Sequence, residues 1–448
     1  MSSTANRRHS VRNELARRLA EARSLSDHLF RMVRPEALLD RPIAERHRIL
    51  FYLGHLEAFD WNLMTGTLFN LSPIDPALDR LFAFGIDPVG GGLPDDAVSD
   101  WPSVETVRDF CRRVRAGLNE GIARLPEAGG ATGSHPPEQI LNVAIEHRLM
   151  HVETLAYLLH WLPRERKHPG PAARLFAATA PARRRTVLIP AGEATLGLPR
   201  DGAFGWDNEF SEHVVHVPAF AIDGCKVTNA EFLGFVRDGG YSDRALWRAA
   251  DWDWKEREDV RHPRFWVERG GDWFWRTMFD EIPLPAGWPV YVSHAEATAY
   301  ACWTGKHLPS EAEFHRAAYG TPAGEERVFP WGSAAPAPRY GNFDFARWDP
   351  EPVNAHPRGD SAFGVSDLVG NGWEWTETEF APFDGFRPFP FYPGYSADFY
   401  DGRHFVMKGG SPRTAACLLR RSFRNWFQPH YPNIYAGFRC VSREAGNA

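Results

Sequence analysis

The sequence predicts an α+β protein of more than one domain: an N-terminal helical bundle followed by a larger domain of short strands, turns and a few short helices. Three observations carry this. Residues 10 to about 162 hold apolar side chains at three- and four-residue spacing, the period of a buried helix face. The stretch PRERKHPGPAARLFAATAPARRR that follows is rich in Pro, Arg and Ala, as linkers are. Beyond it the helical period fades and Gly, Pro and aromatic residues take over. At roughly 100–200 residues per domain, 448 residues suit this division. The expected boundaries are 1–165 for the bundle, 166–185 for the linker and 186–448 for the second domain.

In order along the chain, helices are expected at 10–34, 41–66, 101–124 and 137–162, four elements that suit a bundle. The segment 67–100 carries Gly, Pro and Asp clusters and reads as a long connection. The Arg- and Ser-rich start is similar to a transit peptide, but Glu14 and Glu21 fall into an amphipathic pattern that favours a solvated helix. In the second domain, Val187–Gly197 reads as a hairpin. Ser293 with Glu296 and Ser310 with Glu313 are capping boxes, each opening a short helix. No internal repeat stands out.

Composition excludes several classes. Charged residues make up 24% and hydrophobic ones 43%, ordinary globular usage that rules out disorder, collagen and coiled-coil rods. A net charge of −6 gives no basic excess for nucleic acid. No apolar run reaches membrane length. The 5 cysteines are scattered without a CxxC, which fits the cytoplasm and offers no thiolate metal site.

The sharpest motif is Glu146-His147-Arg148-Leu149-Met150-His151-Val152-Glu153. His147 and His151 are four apart on a helix, so both imidazoles share one face and can bind one metal ion. His47, His55 and His160 are the candidates for a third ligand, and spacing leaves the choice open. The bland alternatives are solvated histidines at 147 and 151 and a hydrogen-bonded core histidine at 55. In the second domain, arginines alternate with aromatics in Arg420-Arg421-Ser422-Phe423-Arg424-Asn425-Trp426. That pattern could stack on single-stranded nucleic acid, but the negative net charge favours buried structural arginines.

Further motifs carry a resemblance. LPSEAEFHRAAYG (308–320), GNGWEWTETEF (370–380), KGGS (408–411) and RRSFRNW…AGFRC (420–440) resemble the formylglycine-generating-enzyme fold over roughly residues 185–445. Thr414 and Leu419 stand where those enzymes carry their cysteine pair, and Cys417 is a lone thiol, so formylglycine generation is not expected. The N-terminal part resembles a DinB-like four-helix bundle, with an HxxxHxE motif at His147, His151 and Glu153. The combination resembles the ergothioneine sulfoxide synthases, non-haem iron enzymes that use oxygen to join a sulfur donor to the imidazole C2 of hercynine.

The resemblance implies one Fe(II) per chain on His55, His147 and His151, since His55-Leu56-Glu57-Ala58-Phe59 matches the family's H-x-x-x-F context. O2 would be the co-substrate, with Glu153 orienting a ligand histidine. Asn425 and Trp426 match the hercynine-facing pair. Phe427 and Tyr431 replace the Asp and Arg that clamp γ-glutamylcysteine, Phe383 replaces the active-site tyrosine, and Met150 replaces a polar residue. These departures resemble the selenoneine synthase branch, which couples hercynine to a selenosugar through a C–Se bond. A thiol donor, cysteine or γ-glutamylcysteine, is the alternative, and a non-catalytic binding scaffold is a second. Small molecules are the expected partners, with no nucleic acid, membrane or obligate protein partner.

Overall fold

The computed structural model describes residues 2–83, 96–125, 135–170 and 185–443, with side chains from residue 11. The chain divides into two compact units at residue 171. No described helix is long and apolar enough to cross a membrane.

The first unit contains α1 (Ser2–Met32), α2 (Ile49–Thr67), α3 (Pro76–Phe82), α4 (Val104–Ala123) and α5 (Pro137–Trp161). In α1 a stripe of Leu15, Leu19, Ala22 and Leu29 is buried, and in α4 Val107, Phe110, Val114, Leu118 and Ile122 form the matching face. At about 1.5–3 kcal/mol per fully buried large apolar side chain, such stripes drive the helices together. α2 and α5 are buried almost all round, as central helices must be.

A polar cluster interrupts this apolar centre. Arg148 of α5 is fully buried and donates to Glu57 Oε1 (2.9 Å), Asp60 Oδ2 (2.7 Å) and the Leu56 carbonyl (2.9 Å), all on α2, and to Ser26 Oγ (3.3 Å) on α1. Arg115 of α4 meets Glu57 at 2.7 Å and Asp27 of α1 through two bonds of 2.7 Å. Burial alone would raise the Glu57 carboxyl, but Arg148 and Arg115 hold it down at about 2.

Three expectations about the helices are corrected here. The second helix starts at Ile49 rather than 41, because Pro42 turns Arg41 away from helical backbone and Arg48 enters extended, at ψ 154. The connection after α2 contains α3, which Asp75 caps by accepting from the Ala77 and Leu78 amides, with Pro76 at the first helical position. The third long helix starts at Val104, three residues late, because the Ser103 side chain caps it. Within the segment 166–185, Lys167 pairs with Val33 across a β-bridge, and its Nζ donates to the Leu159 carbonyl at 2.7 Å.

The second unit holds β1 (Thr186–Ile189), β2 (Gly192–Leu196), β3 (His213–Val217), β4 (Phe220–Asp223), α6 (Asn229–Arg237), α7 (Ala249–Arg257), β5 (Trp266–Arg269), β6 (Asp272–Arg276), β7 (Glu281–Pro283), α8 (His294–Trp303), α9 (Glu311–Tyr319), β8 (Trp373–Glu379), β9 (Phe405–Lys408), β10 (Asn425–Phe427), β11 (Ala436–Gly437) and β12 (Val441–Ser442). The sheets are β1-β4-β12, β10-β9-β8-β11, β2-β3 and β5-β6-β7. Both capping boxes form, opening α8 and α9. The expected hairpin at 187–197 does not: β1 pairs with β4 and β2 with β3. Its would-be turn, Pro190-Ala191, lacks the Gly or Asn that a two-residue hairpin needs.

The GNGWEW turn runs through left-handed backbone, with φ of 94° at Gly370, 62° at Asn371 and 130° at Gly372. The alternating arginines are structural: Arg420, Arg421, Arg424 and Arg439 pair with Glu209, Glu326, Glu311 and Glu374. That removes the nucleic-acid reading of this segment.

Arg148→Ala leaves buried Asp60 without its hydrogen-bonded arginine and Glu57 with Arg115 alone, and should cost about 3–5 kcal/mol. Arg112→Ala, which removes an exposed pair with Asp109, should stay within about 0.5 kcal/mol. Urea denaturation of the two variants measures the contrast, and similar midpoints would refute the buried-network argument.

Candidate metal centre

His55 lies on α2, and His147 and His151 lie one turn apart on α5. Their ligand nitrogens all fall within 4.8 Å of one another, and all three side chains are buried. This is the His/Cys/Asp/Glu cluster of metal-binding geometry among the described residues. His47 and His160 stay outside it: His47 stacks on Phe51 (4.1 Å), and His160 packs by Trp161.

Each histidine is braced by a ring from α2. Phe51 stacks on His55 at 5.0 Å, Phe59 lies on His147 at 3.4 Å and 12°, and Tyr52 sits 5.9 Å from His151. The spacing His55–Phe59 therefore has a physical meaning, since one helical turn carries the ligand and the next braces a ligand on the facing helix.

Hydrogen bonding sets the tautomer of His55. Its Nδ1–H donates to the Phe82 carbonyl at 2.7 Å, which leaves Nε2 as the free lone pair for a metal. α3 can come this close because residue 54 is glycine: a Cβ there would lie 2.4 Å from the Phe82 ring. This support was missed in the sequence, although Asp75-Pro76 marks the helix that delivers it.

Burial pushes the His55 imidazole down to about 4, and burial together with the neighbouring histidines and arginines pushes His147 and His151 well below the usual range. All three rings are thus neutral and able to ligate. His147 Nε2 and His151 Nε2 stand 3.2 Å apart, close to the ~3 Å between adjacent ligands that each sit about 2.1 Å from a common ion. The donor set therefore fits a mononuclear divalent metal with open positions. Met150, which directly precedes His151, is partly buried; Glu153, about 200° around the helix from His151, is turned away from the ligand face.

Of the substrate-side candidates, Met150 lies on α5 of the first unit and Asn425, Trp426, Phe427, Tyr431 and Phe383 lie in the second. β10 pairs with β9 in regular register, so Asn425 and Phe427 point to one side and Trp426 to the other. Asn425 and Trp426 therefore point to opposite faces of β10. Trp426 stacks on Phe380 (4.1 Å, 7°) with Tyr395 and Phe399 around it. The Asn425 Oδ1 accepts from the Trp426 amide. Phe427 and Tyr431 stack at 5.3 Å and 8°. Phe383 lies under the Arg424 guanidinium (4.2 Å), with the edge of His213 beside it.

Gly54→Ala tests the α3 support. Helix propensity alone favours alanine by about 1 kcal/mol. The displaced Phe82 should nevertheless weaken metal binding about 10–100-fold, read by titration with a divalent metal. His151→Ala should lose the metal altogether by elemental analysis.

Comparison with known proteins agrees with both units. Residues 18–155 match the DinB superfamily model and residues 172–444 the sulfatase-modifying factor enzyme 1-like domain. A hercynine oxygenase of Mycolicibacterium thermoresistibile is 33% identical over 96% of this chain and 95% of its own length. One of Mycobacterium tuberculosis is 36% identical over 75% and 77%. Ergothioneine biosynthesis protein 1 of Neurospora crassa is 28% identical over 92% of this chain and 55% of its own. Two buried histidines on α5, a third on α2, and a 33% identical relative matched over 95% of its length give one conclusion: the chain belongs to the hercynine oxygenase family, the ergothioneine sulfoxide synthases.

Proposed function

We propose that this chain is an Fe(II)- and O2-dependent enzyme that forms a carbon–chalcogen bond at the imidazole C2 of hercynine. The observation that carries the reading is the buried cluster of three neutral imidazoles, His55, His147 and His151. Bound there, Fe(II) supplies the one-electron chemistry with oxygen that closed-shell side chains lack. The protein's own contribution is to hold the three rings by the Phe82 carbonyl and the α2 aromatics, and to keep the site dry within the bundle. Aromatic faces such as Trp426 suit the trimethylammonium group of hercynine.

The donor has two supported readings. Phe427 and Tyr431, stacked in parallel, present apolar faces where a charged clamp would grip an amino-acid head group. Sugars stack on such faces, so this pair favours a neutral selenosugar and a C–Se bond. The relatives weigh the other way. Proteins named for hercynine oxygenation and ergothioneine biosynthesis support a thiol such as cysteine or γ-glutamylcysteine. The described cysteines form no disulfide, which supports a cytoplasmic setting.

The test is an aerobic assay of iron-loaded protein with hercynine and, separately, a selenosugar, γ-glutamylcysteine and cysteine, read by mass spectrometry. A selenium adduct formed preferentially supports the selenosugar; a sulfoxide from either thiol supports the alternative. No adduct with any donor would overturn the enzymatic reading.

A further inference from the structure

The chain between β10 and β11, Gln428-Pro429-His430-Tyr431-Pro432-Asn433-Ile434-Tyr435, contains two prolines. They stiffen it but give no backbone N–H, so other groups must anchor it. Two anchors are backbone: the Pro429 carbonyl accepts from the Ala295 amide at the start of α8 (3.1 Å), and at the far end the Tyr435 carbonyl accepts from the Trp373 amide (2.9 Å). The third comes from α7. His430 Nε2–H donates to Asp251 Oδ1 at 2.7 Å, and the His430 ring lies on Trp254 at 4.9 Å and 4°. Asp251 and Trp254 are three apart, on one face of α7. The Asp251 side chain is 7% exposed and His430 28%, so the carboxylate is nearly desolvated and depends on this partner. The next residue, Tyr431, is buried and stacks on Phe427.

We propose that Asp251, His430 and Trp254 form a latch that fixes this loop and thereby positions the Phe427–Tyr431 ring pair to receive the chalcogen donor. The inference rests on the reading of that ring pair as the donor site. These are positioning residues: they act on the donor through the loop. Two consecutive loop residues are docked in different partners, His430 against α7 and Tyr431 against Phe427, so the orientation of the second follows from the capture of the first. Removing the latch frees the loop without touching the histidines that hold the metal.

The experiment uses the full iron-loaded chain carrying Asp251→Ala, His430→Ala and the conservative Asp251→Asn. Loss of a charge-assisted hydrogen bond should raise the donor KM roughly ten-fold or more. The hercynine KM and kcat should stay near wild type, and Asp251→Asn, which keeps an acceptor, should recover part of the loss. An unchanged donor KM in every variant overturns the latch, and so does an equal rise in both KM values, which marks a general structural defect. If the wild-type chain couples no donor to hercynine, the functional reading fails on its own. The latch is then judged by amide hydrogen exchange. Exchange at the non-proline amides of 428–435 should be faster in His430→Ala than in wild type, with the rest of the chain unaltered; unchanged protection there overturns it.

Discussion

The first unit is organised around one buried cation. Arg148 sits between His147 and the carboxylates of the facing helix, and its bonds reach Glu57, Asp60 and the Leu56 carbonyl together. Slipping α5 along α2 by one residue would break this set at a cost of several kcal/mol. An apolar interface of Leu and Ala has no such penalty and tolerates neighbouring registers. The ion pairs therefore specify the one alignment that brings His147 and His151 opposite His55, and Arg115 extends the same constraint to α1 and α4.

The second unit uses the same device. Glu374 on β8 is fully buried, accepts two bonds from Arg439 (2.6 and 2.8 Å) and lies 3.0 Å from Lys226. Long loops rich in glycine and aromatics bury little regular backbone, so fixed charge pairs define how strands, turns and loops come together. The aromatic stacks at Trp426 and at Phe427–Tyr431 lie on opposite faces of one short strand.

What the sequence made legible was whatever repeats locally. The helical period, the capping boxes at Ser293 and Ser310 and the four-residue spacing of His147 and His151 are each written in consecutive residues. The third ligand needed the resemblance, because His47, His55 and His160 are equivalent to any local argument. The missed features are pairings across the chain. Pro190-Ala191 argues against a tight hairpin, but nothing in residues 186–197 names the partners β1 and β2 take instead, and α3 is too short to show a period. One signal was present and unread: Glu57, Asp60 and Arg148 lie in helices buried almost all round, and charges in such places must meet. Alternation along β10 would likewise have separated Asn425 from Trp426.

The partner of His55 has a consequence for charge balance. A carboxylate at Nδ1 would lend negative charge to the imidazole and through it to the ion. The Phe82 carbonyl lends none, and the nearby Glu57 and Asp60 carboxylates are already engaged by arginines. A divalent ion held by three uncharged rings in a buried pocket keeps its double positive charge, and low-dielectric surroundings make that excess expensive. Where such an ion binds, the three uncharged rings offset none of its charge, so the cradle would favour an incoming ligand able to reach the ion as an anion.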